Sequence, residues 1–189
     1  MINFADQRVG VFVDVQNLYY SAKNLYQTKV NFGEVLKTAV DGRKLIRALA
    51  YVIKADNVDE QKFFEALGKQ GFEVKMKDLQ VFYGGNKKGD WDIGIAMDAI
   101  RLSTKLDVVV LVTGDGDFIQ LVEYLKNHGQ YVEVLTFSES ASSQLIQHAD
   151  KFTDLSENRR KYLLGTIRRR VRRIMPPARP MAPIVKKAL

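Results

Sequence analysis

The chain predicts a three-layer α/β sandwich, with helices on both faces of a mainly parallel sheet. Three observations carry this. Apolar, β-branched runs such as Val9-Gly-Val-Phe-Val and Val108-Val-Val-Leu-Val break off into polar residues, the pattern of strands buried on both faces. These runs alternate with amphipathic segments of helical length, as right-handed strand–helix–strand units require. Acids stand just past the runs, at Asp14, Asp115 and Asp117, and in an open α/β sheet the carboxyl ends of the strands form the ligand-binding rim.

Taken in order, residues 9–15 read as a strand, 17–26 and 32–38 as helices, and 44–54 as a second strand. Phe63, Phe64, Ala66 and Leu67 are spaced for a helix over 58–70, closed by Gly71. Residues 72–76 alternate as a strand, 79–83 read as extended, and Gly84 to Asp90 is a loop by composition. A helix follows over 91–102, with Ile93, Ala96, Met97 and Ile100 as its buried stripe, then a strand over 107–113. Residues 118–127 form a helix closed by Gly129, 131–136 a strand, and 142–148 a short helix.

The 189 residues, 46% of them hydrophobic, suffice for one well-buried domain, placed at 1–155, plus an appendage. Residues 156–175 read as a basic helix with Leu163, Leu164, Ile167, Val171 and Ile174 on an apolar stripe. The Pro-rich 176–189 is expected to be an extended or disordered tail. The net charge of +7 is uneven: from Ser156 onward there are 11 Lys and Arg against 1 acid, and the other 155 residues carry 18 against 21. A mildly acidic body thus bears a basic arm.

Absence of cysteine excludes disulfides and thiolate metal sites, and two histidines, His128 and His148, leave little for zinc or histidine-based hydrolysis. No signal-like or membrane-spanning stretch is present, so the expectation is a soluble, cytoplasmic protein with no membrane span.

Carboxylates converging at a sheet rim repel one another unless they share a cation, and hard oxygen ligands suit Mg²⁺ or Mn²⁺. Asp14 closes the first strand. Asn17, in the first turn of the next helix, fits two roles: steadying that carboxylate or a metal-bound water, or capping the helix. In Thr113-Gly-Asp-Gly-Asp117 the glycines allow a tight turn, and Asp115 and Asp117 flank a helix start whose dipole favours anions. An ordinary acidic helix start also accounts for Asp117. Asp92 lies in the first turn of the middle helix, where an acid can cap and still reach a metal. Asp98, six residues on and about 240° round, cannot point at the same site without help from neighbours and is read as a supporting or structural residue. Lys87 and Lys88 fit a phosphate-holding pair or a solvated loop. Tyr19, Tyr20, Tyr83 and Trp91 fit stacking on unpaired bases or ordinary core and rim packing.

Phe12-Val-Asp-Val-Gln-Asn-Leu18, Lys87-Lys-Gly-Asp-Trp-Asp92 with Asp98, and Val112-Thr-Gly-Asp-Gly-Asp-Phe118 resemble, in this order, the NYN domains of the LabA-like group within the PIN-like nuclease superfamily. Ser142 to Phe152 looks like that group's closing segment, and the likeness covers about 8–155. The resemblance implies a Rossmann-like (PIN-like) sheet whose acids bind one or two divalent metals, and it implies cleavage of RNA phosphodiesters. On this chain Asp14, Asp92 and Asp115 would be the principal acids and metal ligands. Asp117 would join the metal, and Asn17, Asp98 and Thr113 would support them.

The arm, with Arg159-Arg-Lys161 and Arg168, Arg169, Arg170, Arg172 and Arg173, has three readings. It can attract nucleic acid toward an acidic site that repels it, pack on the body, a second copy or a protein partner, or lie on anionic membrane. Two other functions compete with an endoribonuclease: a non-catalytic, metal-containing RNA adaptor or regulator, and a phosphatase of the haloacid-dehalogenase type. The latter needs a second acid two residues after its nucleophile, where Gln16 stands here.

Overall fold

Apolar alternation fixes the sheet. In the computed structural model, which describes residues 5–54, 58–78, 80–81, 87–88 and 90–165, strand β1 (Arg8–Asp14) buries Val9, Val11 and Val13 on one face and Phe12 on the other. It leads into α1 (Val15–Tyr26), the short β2 (Lys29–Val30), α2 (Phe32–Val40), β3 (Lys44–Lys54), α3 (Val58–Lys69) and β4 (Glu73–Asp78). Two-residue strands β5 (Gln80–Val81) and β6 (Lys87–Lys88) pair antiparallel. Next come α4 (Asp92–Ser103), β7 (Val108–Val112), a 3-10 turn over Gly116–Phe118, α5 (Ile119–Asn127), β8 (Tyr131–Thr136), α6 (Ser143–His148), β9 (Lys151–Asp154), α7 (Arg159–Tyr162) and β10 (Leu163–Leu164).

The six-stranded sheet has the order β4-β3-β1-β7-β8-β9, and all five of its ladders are parallel. The chain winds outward from β1 through β3 to β4, then restarts at β7 on the other side of β1. That reversal opens a crevice between the carboxyl ends of β1 and β7. Leu18, Ala22, Val35 and Ala39 of α1 and α2 cover one face; Ile95, Ala99, Leu121 and Leu125 of α4 and α5 cover the other. The expected three-layer sandwich is therefore the architecture.

Four local expectations are corrected. The stripe on α4 is centred on Ile95 and Ala99, with the expected Ala96 and Ile100 half-buried beside them, while Ile93 is 77% exposed and Met97 42%. Apolar residues surround this helix, so their spacing alone leaves its rotation open. Lys87 and Lys88, read as loop, form β6; residues 79, 82–86 and 89, including Tyr83, lie outside the described residues. A closing strand, β9, was not among the expected elements.

The fourth correction concerns the arm. Helix α7 lasts one turn, and Leu163–Leu164 then pair antiparallel with β2 instead of continuing a helix. Asn31 N donates to Tyr162 O at 2.8 Å, which leaves Leu163 buried beside Val30 and Leu164 half-exposed on the other face of the strand. Arg159 bonds Glu139 at 2.8 Å and lies over the Tyr26 ring, and Lys161 donates to Thr38 Oγ1 at 2.9 Å. The root of the arm is thus part of the body. Arg168, Arg169, Arg170, Arg172, Arg173 and the Pro-rich tail lie outside the described residues. Among the described residues no helix is long and apolar enough to cross a membrane.

Candidate metal centre

Asp14 is the last residue of β1 and the N-cap of α1, its Oδ1 accepting the Asn17 N–H at 3.0 Å. The cap role read for Asn17 therefore belongs to Asp14. Asn17 is turned across the crevice, where its Oδ1 accepts the Gly114 N–H at 2.9 Å. This single amide ties the end of β1 to the turn after β7.

That turn is built on close approach. A Cβ on Gly114 would lie 3.1 Å from Ala141 Cα and 3.3 Å from Ser140 O, and one on Gly116 3.0 Å from Ser142 Oγ. Ser142 N donates to Gly114 O at 2.9 Å, so the 138–142 segment buttresses the turn from behind. Thr113 is buried and its Oγ1 accepts from Asp115 N at 3.2 Å. Asp115 Oδ1 in turn accepts from Asp117 N at 3.0 Å. Turn and buttress together aim the Asp115 and Asp117 carboxylates at the rim.

Asp92 reaches the same place from the start of α4, where the helix dipole favours an acid. Its helix end is anchored by Trp91. The indole Nε1–H donates to Val52 O at 2.8 Å, and its ring meets Tyr51 at 5.3 Å. Lys77 Nζ lies 5.7 Å from the Trp91 ring centre and donates to Asp90 O at 3.2 Å. The indole can lie flat on α4 only because residue 94 is glycine: a Cβ there would overlap Trp91 Cε3 and stand 2.9 Å from Cζ3. Sequence reasoning missed this clamp, although Trp91 three residues before Gly94 was a signal for it.

One carboxylate oxygen from each of Asp92, Asp115 and Asp117 lies within 4.8 Å of the other two. Asp14 sits beside them. Burial pushes its carboxyl up to about 6; the Asn17 N–H pulls it down, and the charges of Asp92 and Asp115 push it up. Asp98 is not brought in. It accepts from Tyr51 Oη at 3.0 Å and pairs with Lys75 at 3.3 Å and, more distantly, Arg101, bracing α4 against β3 and β4. Burial, followed by the Asp98 charge, raises the Tyr51 hydroxyl far above the usual phenol range. Lys87 and Lys88 lie on β6, paired with Val81 and Gln80 of β5. Three hard oxygen donors from two elements, crowded beside a fourth carboxylate, fit a divalent cation such as Mg²⁺ or Mn²⁺.

An acid cluster at the crevice of a parallel sheet fits a metal-dependent nuclease. The chain belongs to the NYN domain family, whose pattern it matches over residues 8–157, and with it to the PIN-like nuclease superfamily. It is similar to the Low amplitude and bright protein LabA of Synechococcus elongatus, at 25% identity over 82% of this chain and 88% of LabA. It is also 26% identical to the uncharacterized protein MJ0482 of Methanocaldococcus jannaschii over 80% of this chain, spanning only 57% of that protein. Among solved structures, a protein of unknown function, VPA0982 from Vibrio parahaemolyticus, superposes with a TM-score of 0.78 at 33% identity. That likeness covers 87% of this chain and all of the other.

Proposed function

We propose that the protein is a divalent-metal-dependent ribonuclease that hydrolyses phosphodiester bonds in single-stranded or structured RNA. The observation that carries this reading is the meeting of Asp92, Asp115 and Asp117 within 4.8 Å, beside Asp14, in a chain of the NYN family. Asp92, Asp115 and Asp117 would hold the cation. When bound, Mg²⁺ or Mn²⁺ supplies charge for the phosphate and an acidified water as nucleophile.

The chain's own residues do the rest. Asn17 fixes the distance between the two rims through Gly114, and Thr113 sets the turn from which Asp115 projects. Trp91 holds the start of α4, and so Asp92, against β3. Asp14, beside the cluster, would serve as a further ligand or as the carboxylate that accepts the water's proton, so histidine is not needed. His128 and His148 are engaged elsewhere, on Tyr124 O and on Gln144 O and Glu123. The basic residues from Arg168 to Arg173 add salt-dependent attraction for RNA under this reading, which sits with a cytoplasmic location.

The test is cleavage of end-labelled single-stranded RNA with Mn²⁺, Mg²⁺ or chelator, with Asp115→Asn purified in parallel. Metal-dependent cutting by the wild type alone is expected. Equal cutting by both proteins contradicts the reading, and RNA binding without cutting in either makes the protein an adaptor.

A further inference from the structure

A groove of about 550 Å³ opens between α1 and α3, a size within the roughly 300–1,000 Å³ of ligand-holding clefts. It begins at Val15 and Gln16, directly after Asp14, and at Val52, whose carbonyl anchors Trp91. The groove therefore opens at the same carboxyl end of the sheet as the acids, which do not themselves line it. Phe63 and Phe64 form an apolar wall, and exposed Lys23 and Lys29 lie along it.

We propose that this groove takes the unpaired bases of single-stranded RNA that flank the phosphate at the acids, an inference that rests on the ribonuclease reading above. Tyr19 and Tyr20 stand edge to face at 5.4 Å, and the Lys23 ammonium lies 5.6 Å from the Tyr19 ring centre. Lys23 occupies Tyr19. Tyr20, 52% exposed, also lines the groove. Aromatic faces interleaved with cations form the platform on which single strands bind, since every base has a π face and every nucleotide a phosphate. The same groove discriminates against duplex, whose bases are stacked inside the helix and cannot enter a cleft between two protein helices. Charge favours this occupant as well, because two lysines stand against the one lining acid, Glu60.

The experiment measures binding of a short oligouridylate bearing 4-thiouridine, and of an RNA duplex, to the full chain in chelator, followed by photocrosslinking and peptide mapping. Tyr20→Ala, at an exposed position that leaves the core intact, is expected to weaken single-strand binding about 5- to 100-fold and leave duplex binding unchanged. Lys23→Glu is expected to weaken it too, and crosslinks should fall on the segments around Tyr20 and Phe64. Unchanged single-strand affinity in both variants, with crosslinks confined to residues 166–189 or to another face, overturns the proposal. The two readings fail separately. Wild type that cuts RNA while Tyr20→Ala binds normally removes the groove alone. Wild type that never cuts, with Tyr20→Ala impaired, keeps the groove as a binding site and removes the nuclease.

Discussion

Two groups of charges lie within this fold, and they are treated in opposite ways. Arg43 and Glu133 have side-chain exposures of 1% and 2% and meet in a two-pronged pair at 2.7 and 3.1 Å. Two further guanidinium N–H groups donate to Ala39 O at 2.8 Å and Val40 O at 3.1 Å, so α2 is locked to the sheet with its charge matched. At the carboxyl rim, Asp92, Asp115 and Asp117 are gathered onto one point and Asp14 is pushed up to about 6 beside them. A buried charge kept for the fold is given its counter-charge by the chain. On the proposed reading, charges kept for function are crowded together and a bound cation relieves the crowding.

The largest effect that sharpens this contrast is on chemistry. Asp115→Asn would remove a proposed ligand while keeping the shape of the turn, and loss of several kcal/mol of transition-state stabilisation should lower the proposed cleavage by about 10³-fold or more. Its melting temperature without metal should match or exceed the wild type's. Unimpaired cleavage by this variant would falsify the assignment of the site.

Glu133→Gln has the reverse profile. It leaves Arg43 buried without its counter-charge, and urea denaturation should show a loss of about 3–5 kcal/mol. The folded fraction should bind Mn²⁺ as the wild type does. A variant of wild-type stability would mean that the pair is not the fold's charge lock.

Gly94→Ala probes how firmly Asp92 is held. The added Cβ pushes the indole off α4 and loosens the start of the helix, so Mn²⁺ affinity measured calorimetrically should fall about 10- to 100-fold, the range for lost supporting contacts. Trp91→Phe, which keeps a ring but loses the bond to Val52 O, should fall in between.

The smallest effect is on stability and has a defined sign. The Asp14 carboxyl is raised in the folded state, to about 6 against about 4 unfolded, so it favours the metal-free fold below about pH 4. That contribution is lost as pH rises through 6. Asp14→Asn keeps a good N-cap and should stabilise the metal-free protein by about 1–3 kcal/mol at pH 7.5. The gain should shrink on acidification toward pH 4, as read by melting across pH. An equal gain at both pH values would contradict the raised carboxyl. Because proton and cation compete at the cluster, Mn²⁺ affinity should also rise with pH up to about 6 and level off above it.

Much of the rim was legible in the sequence because its physics is local. Val9 to Val13 and Val108 to Val112 announce buried strands, so Asp14 and Asp115 must emerge at their ends. The turn of a helix alone separates Asp98 from Asp92. What could not be read depended on contacts distant in sequence. Nothing local distinguishes an Asn17 that caps α1 from one that reaches Gly114, 97 residues away. The rotation of α4 follows from Trp91 folding over Gly94 and bonding β3. Leu163 and Leu164 continue a helical stripe in pattern, yet they leave it because Val30 offers a strand edge and Asn31 an N–H for the Tyr162 carbonyl. A two-residue ladder has no period to detect.

The chain has a single tryptophan, and it stands next to Asp92. Titrating metal-free protein with Mn²⁺ and following the emission of Trp91 therefore reads the cluster directly. Saturable, chelator-reversible quenching is expected in the wild type and should be lost in Asp92→Asn and Asp115→Asn. Emission that is indifferent to Mn²⁺, or quenched equally in the variants, would contradict the claim that these acids are gathered to hold a cation.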